Sequence, residues 1–101
     1  MKTAAIRVHE LGGPEQMTLE QLDVASPREN EVVIKQTAIG LNFIDTYFRS
    51  GLYPAPLPTP LGMEASGIIE QVGANVIEFQ EGDRVAYASP PLGSYSEKRV
   101  M

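Results

Sequence analysis

Two glycine-bounded hexamers hold most of the side chains in this chain that could do chemistry: Gly40-Leu41-Asn42-Phe43-Ile44-Asp45 and Gly62-Met63-Glu64-Ala65-Ser66-Gly67. Asn42 carries an amide, a donor and an acceptor at once. It stands where Phe43, Ile44, Tyr47 and Phe48 begin a helical period, so by itself it reads as an N-cap. Those four residues read as the core face of the helix, and a buried Tyr47 would need a partner for its hydroxyl. Tyr53, just past the helix, reads by itself as a loop aromatic. Glu64 lies among small or apolar neighbours and would be costly to bury unpaired; Arg49 is a partner if the fold brings the two together. Met63 reads as packing. His9, beside Glu10 and without a second ligand nearby, reads as exposed. With one His and no Cys, transition-metal chemistry has few ligands to draw on.

The elements that must position these groups can be read from period and punctuation. Residues 4–8 have strand composition and lead into the turn Leu11-Gly12-Gly13-Pro14. Residues 17–24 alternate in part, which predicts a second strand with a slip or bulge near Glu20-Gln21. Residues 31–39 predict a strand buried on at least one face. The period then changes, and residues 42–50 predict the one substantial helix, with Gly51 at its C-terminal cap. Tyr53 to Pro60 holds four prolines in eight residues, which predicts an extended loop outside any ladder. Strands are predicted over 65–72 and 84–88, and a final strand-like segment over 94–100. Short strands at near-regular spacing, punctuated by Gly and Pro, predict a mainly β barrel or sandwich with one short helix.

Composition narrows the function classes. At 101 residues there is room for one small domain with a modest core. The net charge is −5, and the basic residues are scattered rather than clustered, so nucleic acid is not an expected partner. No apolar run approaches the ~20 residues a membrane span requires. Met1-Lys2-Thr3 opens into a strand pattern rather than a signal peptide, and the cytoplasm is the expected location.

Taken together, the hexamers resemble the two active-site motifs of the medium-chain dehydrogenase/reductase superfamily. In its zinc alcohol dehydrogenases these read Gly-x-Cys-x-x-Asp and Gly-His-Glu-x-x-Gly, and the Cys and His hold the catalytic metal. Here Asn42 and Met63 stand at those positions, and an amide and a thioether cannot replace a thiolate and an imidazole around Zn²⁺. A kept frame with lost ligands resembles the zinc-independent quinone oxidoreductase (zeta-crystallin-like) branch. Gly12-Gly13-Pro14-Glu15, Glu29-Asn30-Glu31-Val32, Gly40 through Gly51, Gly62 through Gly73 and Glu81-Gly82-Asp83-Arg84-Val85 follow in the order of that branch. The resemblance therefore covers almost the whole chain.

The resemblance implies an incomplete GroES-like β-barrel over residues 1–101, the N-terminal catalytic domain of an NADPH-dependent oxidoreductase that moves hydride to a quinone or enone. It implies that Asn42, Phe43, Ile44, Asp45, Thr46 and Tyr47 line the nicotinamide end of the cofactor. It further implies that Tyr47 and Tyr53 are catalytic, touching the quinone. No G-x-G-x-x-G follows a strand and opens a helix, and no βαβ unit is visible. The sequence is thus expected to be the leading part of the enzyme, without its Rossmann nucleotide-binding domain, and inactive alone. A homo-oligomer is expected. The alternative is a stand-alone β-barrel that binds or bridges other molecules without catalysis. The chain is expected to hold no zinc: elemental analysis after dialysis should find far less than about one Zn²⁺ per chain, and a tightly held ion would refute this.

Overall fold

Seven strands and one helix follow one another in a computed structural model that describes residues 1–101. They are β1 (Lys2–Val8), β2 (Met17–Asp23), β3 (Val32–Ile39), α1 (Phe43–Ser50), β4 (Thr59–Pro60), β5 (Glu64–Val72), β6 (Arg84–Ala88) and β7 (Lys98–Val100). One sheet has the order β2-β1-β4 and the other β6-β5-β3-β7, with every neighbouring pair antiparallel. A bridge between Ala5 and Ser96 stitches the sheets together. Ile6 N–H donates to Tyr95 O (2.8 Å) beside it, and Glu97 N–H to Ala4 O (2.9 Å). The ladder runs from β2 to β6 without its ends meeting. The fold is mainly β, an unclosed barrel with one helix, as the sequence predicts.

Val8, Val33, Ile34, Leu61 and Ile69 form the buried core. Each such side chain contributes roughly 1.5–3 kcal/mol by leaving water. A polar cluster holds the loop between β6 and β7. Gln36 Nε2 donates to the carbonyls of Ser94 (2.9 Å) and Ser96 (2.7 Å), while its Oε1 accepts from the Tyr87 hydroxyl. The Arg99 guanidinium lies 5.3 Å above the Tyr87 ring and donates to Tyr87 Oη (3.2 Å) and Pro91 O (3.1 Å). The bonds from Gln36 satisfy the carbonyls of Ser94 and Ser96, two buried residues of that loop.

Three expectations change. The β1–β2 register is unbroken from Lys2↔Asp23 to Val8↔Met17, so β2 has no bulge. Its apolar residues lie on two faces instead: Leu22 is half-buried, whereas Leu19 is 70% exposed. The irregularities fall between β3 and β5, at Val33/Ile34 and Gln36/Ala38. The second shift is near Gly67, where a Cβ would overlap the Lys35 carbonyl. The proline loop ends in β4, whose Thr59 and Pro60 pair with Val8 and Arg7; a two-residue edge strand loses little to a proline. The last strand is shorter than predicted, because residues 94–97 run along β1 and the 61–62 segment before β7 joins β3.

β2 and β6 are free edges, and Leu41, Phe43 and Ile77 are largely exposed. Unpaired edges beside apolar surface favour self-association. Sedimentation of the isolated chain at micromolar concentration should therefore show dimers or larger species; a well-folded monomer would refute this.

Candidate active site

The two hexamers meet. Gly40 N–H donates to Glu64 O (3.1 Å), and the Glu64 side chain lies across Gly40 where any Cβ would strike it. Arg49 does not reach Glu64; its Nε donates to Gly12 O (3.1 Å), and Gly12 N–H donates back to Arg49 O (3.0 Å). Arg49 therefore docks the C-terminal end of α1 on the turn after β1. That end closes at Gly51, which is left-handed at φ +89° and donates to Tyr47 O (3.1 Å).

At the other end, Asn42 has the extended backbone of an N-cap (φ −128°, ψ 149°), and it forms a capping box with Asp45, its side chain facing the Asp45 N–H. The reciprocal bond is made: Asn42 N–H donates to Asp45 Oδ2 (3.1 Å). Asp45 is the buried residue of α1, 4% exposed, and the same Oδ2 accepts the Tyr95 hydroxyl at 2.6 Å. Burial first, and the Asp45 carboxylate second, push the Tyr95 phenol well above its ordinary range, so it is a standing donor. The Asn42 NH2 group donates to nothing within the chain and is available to a ligand.

The predicted core face of the helix is therefore different. Phe43 is 74% exposed, and Ile44, Tyr47 and Phe48 are half-buried. The helix buries its Asp45 side because Tyr95 supplies the donor that makes this affordable. Phe43, Tyr47, Phe48 and Tyr53 form a chain of edge-to-face aromatic contacts, with centroids 5.5 Å apart for Phe43–Tyr47, 5.1 Å for Tyr47–Tyr53 and 5.7 Å for Phe48–Tyr53. The structure thus brings together Phe43, Tyr47 and Tyr53 beside Asn42, and sets Asp45 apart beneath them. Thr46 Oγ1 donates to Phe43 O (2.6 Å), which ties that hydroxyl to the helix backbone. Of the four tyrosine hydroxyls, those of Tyr87 and Tyr95 donate within the chain, and those of Tyr47 and Tyr53 remain available.

His9 is the one predicted surface residue with a partner: its Nε2 lies 2.5 Å from Glu20 Oε1. No three His, Cys, Asp or Glu side chains gather where they could hold a metal ion. No helix is long and apolar enough to cross a membrane.

The alcohol dehydrogenase GroES-like domain family matches residues 28–99, which include both hexamers and the segment carrying Tyr95. The chain belongs to that family. Within it, the GroES-like chain sits in the quinone oxidoreductase (zeta-crystallin-like) branch of the medium-chain dehydrogenases/reductases. It is 56% identical over 91 residues to the quinone oxidoreductase of Pseudomonas aeruginosa, covering 89% of this chain and 28% of that protein. It is 43% identical over 105 residues to a 2-haloacrylate reductase of a Burkholderia species, covering 99% of this chain and 31% of that protein. Escherichia coli quinone oxidoreductase complexed with NADPH superposes with a TM-score of 0.94 at 48% identity, over 97% of this chain and 30% of that one. The GroES-like chain thus spans under a third of the length of each of these three relatives.

Tyr95 is the residue the sequence did not single out. It lies in a stretch of strand composition, and its partner is 50 residues away, so no local period points to it. Gly40→Ala should destabilise the domain by about 1–3 kcal/mol through overpacking against Glu64, measured by denaturant unfolding. Adding Glu64→Ala should restore most of the loss; a Gly40→Ala variant of unchanged stability would refute this.

Proposed function

We propose that the chain is the leading, catalytic-domain part of an NADPH:quinone oxidoreductase that transfers hydride to a quinone or enone without zinc. The observation that carries this reading is the outward wall of the Asn42 amide, the Phe43 ring and the two available phenols of Tyr47 and Tyr53, on a fold closely similar to an NADPH-bound quinone oxidoreductase. The donor set suits a nicotinamide end: an amide for a carboxamide, an aromatic edge for a ring, and hydroxyls for a carbonyl. No Gly-rich turn opens a helix in this chain, so the cofactor phosphates would be gripped elsewhere in the intact enzyme.

When bound, NADPH supplies the hydride. The residues of this chain would position the acceptor against it. Asn42 would hold the carboxamide or the substrate carbonyl, and Phe43 and Ile44 would exclude water from the reacting faces. Tyr47 and Tyr53 would donate hydrogen bonds to the oxygen that gains negative charge. Thr46 would serve through its position on the first turn, and Asp45 from beneath. The same proposal places the protein in the cytoplasm, with a quinone-like small molecule and its own copies as partners, and no metal.

The alternative reading is a β-barrel that binds other molecules without catalysis. Quinone turnover separates the two: the enzymatic reading expects none from the isolated chain but NADPH-dependent turnover from the intact enzyme, and the binding reading expects none from either. In the intact enzyme, Tyr47→Phe should lower kcat/KM roughly tenfold, the worth of one hydrogen bond to developing charge, with the fold unchanged by circular dichroism. Turnover by the isolated chain, or an intact Tyr47→Phe enzyme of full activity, would overturn these assignments.

A further inference from the structure

We propose that Tyr95 is a positioning residue for this reaction, holding the Asn42 end of α1 in place through its hydrogen bond to Asp45. The inference rests on the reading of Asn42 as part of the nicotinamide wall, and adds a residue that touches neither cofactor nor substrate.

The observations converge on one oxygen. Tyr95 Oη at 2.6 Å and Asn42 N–H at 3.1 Å both donate to Asp45 Oδ2, while the buried Oδ1 has no partner. A carboxylate 4% exposed cannot draw on water in place of either donor. The donor itself is fixed on both sides: Tyr95 N–H donates to Leu61 O (3.0 Å), and its carbonyl accepts from Ile6 N–H (2.8 Å). Its ring lies against Gly62, whose φ of +96° and lack of Cβ let the ring approach. The chain of restraint runs from both sheets through Tyr95 and Asp45 to the Asn42 backbone. Asn42 and Asp45 cap the helix reciprocally, and the Asn42 NH2 group, which donates to nothing within the chain, can meet a ligand while its backbone is held. The C-terminal end of α1 is docked separately through Arg49 and Gly12. Removing the Tyr95 hydroxyl therefore loosens the end that carries Asn42 and leaves the other end seated.

The test uses the intact enzyme, with Tyr95→Phe, Asn42→Ala and the double variant. Tyr95→Phe is expected to lower kcat by roughly tenfold through misplacement of Asn42, with KM for NADPH within about twofold, because the phosphates are gripped elsewhere. Amide hydrogen exchange should speed up at residues 42–46 and stay unchanged at residues 48–51. The double variant should be no slower than Asn42→Ala, since the two residues act through one contact. A wild-type kcat in Tyr95→Phe, unchanged exchange at 42–46, or a fully additive double variant would each overturn the inference. If Tyr95→Phe does not fold, Asp45→Asn keeps the shape and weakens the bond; it should give the same selective loss of kcat, and an unchanged kcat would overturn the inference. An intact wild type without NADPH-dependent reduction refutes the enzymatic reading itself, a result distinct from unchanged kcat in the variant of an active enzyme.

Discussion

A carboxylate that keeps only 4% of its surface must be met by donors, and Asp45 draws them from two distant parts of the chain. One is the backbone of the residue that opens its own helix, and the other is the phenol of Tyr95. Because Tyr95 is bonded to β1 on one side and to Leu61 on the other, the carboxylate sets α1 against both sheets at once. The rest of the site follows from that orientation. With the Asp45 side turned inward, Phe43 is turned to solvent and Tyr47 meets Tyr53 in an open aromatic row. With Asn42 and Asp45 capping one another, the Asn42 NH2 group is left uncommitted.

The glycines of the two hexamers make this arrangement sterically possible. Gly40 leaves room for the Glu64 side chain and Gly62 for the Tyr95 ring, while Gly67 lets β5 approach the Lys35 carbonyl. Glu64, the most obvious acid of the second hexamer, is thereby occupied in packing one motif onto the other. The frame and the chemistry are separable in this fold: close backbone approaches hold the motifs together, whichever side chains stand at Asn42 and Met63. The polar cluster of Gln36, Tyr87 and Arg99 serves the same end at longer range. By satisfying the carbonyls of the loop after β6, it fixes the segment that delivers Tyr95.

Local physics made much of this legible in the sequence. The change from period 2 to period 3.6 marked α1 within a residue of its observed start, and Gly51 marked its end, because a left-handed residue there is a property of the chain itself. Composition and turn residues marked β3, β5 and β6, and the hexamers marked the family. The face that each element buries was decided elsewhere. Alternation along β2 says which residues share a side but not which side another strand will cover, so Leu19 and Leu22 suggested a bulge where two faces of a regular strand exist. The helix offered an aromatic face and an acidic one, and hydrophobicity alone favours burying the aromatics. That preference was reversed by a single donor 50 residues away, which no local pattern can announce. The sequence by itself determined the elements, their order and the chemistry of the side chains available. Only the tertiary structure decided which of those side chains are consumed in holding the fold and which remain free, because that depends on partners brought together from distant segments.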